Sequence, residues 1–351
     1  TGSVRNDAGG LISSRDAGVN VKAASLNNAG GALQSQGALT LDVKGGAIDN
    51  QGGKVIAQNG ELNITADSLD SRAGVLSSLK GLLQTRLTGV LRNGQGGKIE
   101  GNRLDLQALG GIYSDGGRIA ANTGNILLNA GNAAIDNSNG GIYAKGQVKV
   151  IGGALNNNAG KISGDGIDVV LDSNLTNRGG LIESAGTLAV RAASLDNQTG
   201  KLRALGISGK TNFQIGSLFD NRNGLVETAN TDLTLATPSF LNAGGTVTHV
   251  GVGEFDISTA NVMNAGGSMV TRGGLTLNAD SWTNSSVIQA GRLRVNVNNL
   301  MQTAGGQLLG SDSFIGSGVN WSNEGLLASN GTFSLDLSGA YGGNGRVSSV
   351  G

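Results

Sequence analysis

Apolar residues recur along this chain at two nested periods. Within short runs they alternate with polar residues, as in Leu39-Thr40-Leu41 and Val148-Lys149-Val150, and alternation at period two predicts strands. The runs themselves return about every 21 residues. One copy reads Leu26-Asn27-Asn28-Ala29-Gly30-Gly31-Ala32-Leu33-Gln34-Ser35-Gln36-Gly37-Ala38-Leu39-Thr40-Leu41. Further copies lead with Ile48, Ile135, Leu155, Leu175, Leu195, Phe219, Phe240, Val262, Trp282, Leu300 and Trp321. Each copy holds three strand-like runs separated by Asn-Ala-Gly-Gly and Ser-Gln-Gly turns, and helical spacing is sustained nowhere. Three strands and three turns in about 21 residues predict one coil of a parallel β-helix, and about sixteen copies predict an all-β solenoid. A sandwich or barrel of short strands is the alternative, but it does not require equivalent residues to stay in register over so many copies.

Two polar columns accompany the apolar ones. Asn28, Asn50, Asn137, Asn157, Asn177, Asn197, Asn221, Asn242, Asn264 and Asn284 each fall two residues after a leading apolar position. They predict a structural ladder of side-chain amides, each bonded to its equivalents in the coils above and below. Gly31, Gly53, Gly141, Gly160, Gly180, Gly200, Gly224, Gly245 and Gly267 are expected to form a column of turn glycines. There glycine supplies positive φ, and a Cβ would clash with the turn.

Composition narrows the class. The 351 residues include Gly 62, Pro 1 and Cys 0, with 38% apolar residues and no net charge. That much glycine without a Gly-X-Y period is not collagen, and periodic apolar residues are not those of a disordered linker. Neutral balance argues against a nucleic-acid partner. No apolar run approaches the length of a membrane-spanning helix. The repeat is under way at Val4-Arg5-Asn6 and still running at Tyr341-Gly342-Gly343, as expected of a segment internal to a longer protein; a monomer is expected, although terminal coils with unpaired edges invite end-to-end stacking. Absence of cysteine fits either a reducing cytosol or a chain exported unfolded.

Composition also divides the chain, into a regular shaft over residues 1–205 and a continuing β-helix over 206–351, richer in aromatics and slightly acidic. All ten Lys lie at or before Lys210, whereas all six Phe and both Trp lie after it. Residues 1–210 hold 20 basic and 16 acidic residues; residues 211–351 hold 5 and 9. The repeat is irregular at Leu205 to Phe213 and, less so, at Leu79 to Val90.

Candidate chemistry is sparse. Charged residues are 14% of the chain and scattered singly, and no long insertion walls a cleft, so no catalytic residue, cofactor or metal site is expected. His249, the only histidine, has no partner for a His/Cys metal site and reads as a surface or turn residue. Asp165, Asp168 and Asp172 read as a solvated coil edge rather than a Ca²⁺ site. Trp282 and Trp321 fall on the leading apolar column and read as core rather than as a platform for sugars.

The repeated unit L-x-N-x-G-G-x-[LIV]-x-[SA]-x-G-x-L-x-[LV] resembles the repeats of filamentous haemagglutinin and of contact-dependent growth inhibition exoproteins, and the resemblance covers essentially the whole chain. It implies a right-handed β-helical filament, exported through an outer-membrane two-partner transporter engaged by an N-terminal domain outside this sequence. It implies secretion to the cell surface of a Gram-negative bacterium and a role as a stalk for an adhesive or toxic module. The alternative it raises is that residues 211–351 form a portion that binds a receptor or glycan on a target cell. A further alternative, from other β-helices, is an enzyme acting on polysaccharides.

Overall fold

A computed structural model describes residues 2–350, which form 41 strands and one helix. The architecture is a parallel β-solenoid of about 16 turns with a spacing of about 21 residues, as the nested periods predict. The chain divides into two compact units, residues 1–185 with 191–193 and residues 186–190 with 194–351.

In the first unit a typical coil runs through Ala154–Asn156, Lys161–Gly164 and Ile167–Leu171. Each strand pairs in parallel with its equivalent one coil away: Ile135 opposes Leu155 and Leu155 opposes Leu175, while Ile142 opposes Ile162 and Ile162 opposes Ile182. The third strand contributes two inward columns, through Ile126, Val148 and Ile167 and through Leu128, Val150 and Val169. These side chains are buried. Full burial of one such side chain stabilises the fold by about 1.5–3 kcal/mol. Alternate residues on each strand point outward, which is why the apolar pattern has period two.

The second unit keeps the coil but changes its filling. Phe213 lies 5.4 Å from Phe219, and Phe219 lies 5.2 Å from Phe240, ring centre to ring centre. Phe314 stacks on Phe333 at 5.0 Å. Trp282 and Trp321 are buried. The unit's strands Gly274–Asn284, Val287–Gln302 and Gln307–Gly318 are long, as are Leu39–Asp49, Val75–Leu87 and Lys98–Ala108 of the first unit, and in such strands two sides of a coil are joined by a bend rather than by a turn.

One element departs from the all-strand expectation. Thr259–Ala265 is an α-helix, capped by Ser258, whose side chain accepts from the Asn261 N–H. Gly266 at φ 71° ends it. Asn261 holds the helix to the preceding coil: its Oδ1 accepts from the Phe240 N–H and its Nδ2 donates to the Thr237 carbonyl.

Candidate functional site

The residue after a leading apolar side chain points outward, and the next is buried again. At that place Asn28, Asn50, Asn137, Asn157 and Asn177 in the first unit are sealed from water, as are Asn197, Asn221, Asn242 and Asn284 in the second. The Nδ2 groups donate to the Oδ1 of the following coil. Asn28 reaches Asn50 at 2.6 Å, and Asn137 to Asn157, Asn157 to Asn177, Asn197 to Asn221 and Asn221 to Asn242 are all 2.7 Å. The same nitrogen reaches the carbonyl three residues on, as from Asn157 to Gly160 at 3.3 Å. One amide therefore ties the turn shut and ties two coils together.

The ladder is not uniform. Ser71 and Ser114 stand in it, accepting at 3.0 Å from Asn50 and Asn93. The next asparagines, Asn93 and Asn137, are left with a buried Oδ1 that has no partner, because a serine hydroxyl is too short to span the gap. In the second unit Gln302 joins the ladder, its Oε1 accepting from Asn284 at 2.9 Å. The sequence pattern, keyed to asparagine, missed all three. It also misplaced Asn264. That residue is exposed and donates to the Ala260 carbonyl within the helix, because residues 259–265 coil as a helix instead of entering the strand–turn path. Asn242, left without a ladder partner on that side, donates to the carbonyls of Gly245, Gly266 and Ser268.

Of the two causes expected for the glycine column, the obstruction of a Cβ holds and the positive φ does not. At Gly53, Gly160, Gly180, Gly224 and Gly245 no φ is positive; a Cβ would collide with the carbonyl of the neighbouring coil's asparagine and with the turn's own amide. Gly31 is obstructed in the same way by the Asn6 carbonyl. Gly200 closes the turn by donating its N–H to the Asn197 carbonyl at 3.0 Å. The left-handed residue lies one position earlier and is often not glycine: Ala73, Ala159, Thr199 and Asn223 have φ of 52–56°. Gly267 meets both demands, with φ 68° and the Asn242 carbonyl against it. Gly141 does not belong to the column. Asn139 takes the left-handed place in that turn (φ 52°), so Gly140 fills the close approach. Gly141 instead makes room for the ring of Tyr143, which folds back over it, as an aromatic does over a strand glycine.

His249 is wholly buried, not on the surface. It occupies the inward position that Thr228 and Thr271 fill in the adjacent coils. Its Nδ1 lies 2.8 Å from Thr271 Oγ1, and its Nε2 lies 3.0 and 3.1 Å from the carbonyls of Asn230 and Thr231. Two carbonyls can only accept, so Nε2 carries the proton and Nδ1 accepts from the threonine. Burial pushes the His249 pKa below its ordinary 6.5, against the upward pull of those carbonyls and of Asp232 and Glu254. Around it Thr211, Thr228 and Asn230 form a closed network, with Thr211 Oγ1 2.7 Å from both Thr228 Oγ1 and Asn230 Oδ1. The polar groups here are spent on one another, as in a satisfied core network.

One open polar feature of the second unit is a groove of about 680 Å³ along the bend of the long strands. It is lined by Asn278, Asp280, Asn296, Asn298, Ser317, Gly318, Asp336 and Ser338, with Ala279 and Val319. Asn278, Asn296 and Ser317 oppose one another in register. Asn296 donates to Asn278 at 2.7 Å, Ser317 donates to Asn296 at 2.9 Å, and Asn298 donates to Asp280 at 3.0 Å. Among the described residues no three His, Cys, Asp or Glu side chains come together as a metal site. Asp168 pairs with Lys149 at 3.2 Å.

The haemagglutinin repeat profile matches the chain twice, over residues 1–108 and 79–192. No curated protein and no solved structure matches it.

Proposed function

The chain belongs to the haemagglutinin repeat family, and from that premise we propose that it is a structural segment in the filament of a large exported surface protein. The family is one of secreted or cell-surface proteins, and no helix among the described residues is long and apolar enough to cross a membrane. In this reading the chain passes unfolded through a two-partner transporter in the outer membrane of a Gram-negative cell. Outside, it spaces an adhesive or toxic module from the surface. The absence of cysteine suits passage through a pore that a cross-linked chain would obstruct.

The observation that carries the proposal is the continuity of the inward columns in the first unit. Residues there are committed to joining one coil to the next, through buried aliphatic side chains and through amides whose Nδ2 groups donate to the following coil. Such a segment is used by length. Each coil adds about 4.8 Å, and its stability comes chiefly from its neighbours. Excising one complete coil of the parent protein, residues 135–154, joins equivalent positions and should leave export and surface display intact, with reach shortened by one coil. Loss of all function on that excision, with display retained, would show that this coil is a site and not a spacer.

A further inference from the structure

We propose that the groove along residues 278–280, 296–298 and 317–319 is a binding site for a neutral, linear oligosaccharide. The first support is its chemistry. Amides, hydroxyls and two carboxylates line it, with no lysine or arginine. Vicinal sugar hydroxyls each donate and accept, and a planar amide or carboxylate meets an adjacent pair with two bonds. The second is that the groups are oriented but incompletely used. Asn278 accepts from Asn296 and Asp280 accepts from Asn298. The Asn278 Nδ2 and the second oxygen of Asp280 have no protein partner among the described residues, and both side chains are exposed. A polar set already held in place loses little freedom on binding.

The third support is the floor. Behind the bend the indole N–H of Trp321 donates to the Val297 carbonyl at 2.7 Å. Gly316 and Gly318 lie against the same indole, where any Cβ would strike it. The floor is thus fixed by a buried aromatic. Along the groove one hydrogen-bonding side chain recurs in register once per coil, Asn278, Asn296, Ser317 and Asp336, at about 4.8 Å, so a polymer crossing the coils meets a polar group at each step. Asp280 and Asp336 disfavour an anionic polymer. A cationic peptide is the competing class, but most of the lining side chains are neutral, and Asp280 already shares an oxygen with Asn298.

The test is titration of the full chain with cellohexaose, chitohexaose and maltoheptaose, followed by ligand-observed NMR, with hexalysine and oligogalacturonate as the charged comparisons. Binding of at least one neutral oligosaccharide is expected, with Kd on the order of 0.1–1 mM. The double variant Asn278→Ala/Asn298→Ala should weaken it at least about tenfold with an unchanged circular dichroism spectrum. Should that variant fold poorly, Ser338→Trp, at an exposed position on the rim, should block the groove and give the same loss. No binding of any neutral probe up to about 10 mM would overturn the proposal. So would binding that neither variant alters, or preference for hexalysine or oligogalacturonate.

Discussion

The coils of residues 126–177 and those of residues 274–338 follow one plan, yet they use the same positions differently. In the first set the outward position just before the bend of the third strand is held by Asn129, Ile151 and Val170, which oppose one another in register. Two coils earlier the corresponding residue, Arg86, is bound to Asp105. In the second set that column reads Asn278, Asn296, Ser317 and Asp336. The inward ladder differs in the opposite sense. It runs Asn137, Asn157, Asn177 in the first set, whereas the second relies on Asn284 and Gln302 after a helical interruption. Inward columns are constrained because each side chain must satisfy two neighbours at once. Outward columns are constrained by water alone, so chemistry can be varied there without disturbing the stack.

The largest effect should come from breaking the ladder where it is continuous. Asn157→Ala removes the acceptor for Asn137 and the donor to Asn177 and Gly160. Buried partners then remain without bonds at about 1–3 kcal/mol each. A loss of about 2–4 kcal/mol is expected, read as a fall in the denaturant midpoint together with faster amide exchange at residues 135–182. A loss below about 0.5 kcal/mol would mean that water replaces the amide and that the ladder is not the spine of the first unit.

Acid should distinguish the second unit. Because burial lowers the His249 pKa in the folded chain, the unfolded chain takes up a proton first as pH falls below 6.5. Stability is complete above that value and declines as pH drops from 6.5 toward the folded pKa, by at most about 1.4 kcal/mol per pH unit. His249→Thr, which copies Thr228 and Thr271 of the adjacent coils, should abolish this part of the pH dependence. If the variant and the parent show the same acid midpoint, the histidine does not control it.

The ladder can also be improved. Ser71→Asn would offer a longer donor to the orphaned Asn93 Oδ1 while still accepting from Asn50. A gain of about 1 kcal/mol is expected, visible as a raised melting temperature. A destabilised variant would show that the turn at Ser71 cannot admit the larger side chain.

What the sequence revealed follows the same division. The aliphatic columns and most of the amide ladder were legible because an inward residue must recur in type and in register, as Leu155, Leu175 and Asn157, Asn177 do. The burial of His249 was not, because its column accepts serine, alanine, threonine and glycine, and one histidine among them carries no periodic signal. Gly141 was misassigned because two adjacent glycines share a turn and only the backbone angle at Asn139 decides between them. The groove leaves a trace in Leu277-Asn278-Ala279-Asp280 and Val295-Asn296-Val297-Asn298. Outward polar residues in a strand are ordinary, however, and only the bend brings these side chains together.

The smallest effect is the sharpest check on position against pattern. Asn264 stands two residues after Val262, as Asn157 stands two after Leu155, so the repeat alone assigns both to the ladder. In the fold Asn264 lies on the exposed face of the helix at Thr259–Ala265, bonded only to the Ala260 carbonyl. Asn264→Ala gives up one exposed hydrogen bond and gains helix propensity worth several tenths of a kcal/mol, so the net change should lie within about 0.5 kcal/mol of zero. Measured beside Asn157→Ala under the same denaturant, it asks whether the helix forms in solution. A cost for Asn264→Ala as large as for Asn157→Ala would place Asn264 inside the coil and restore a strand where the helix stands.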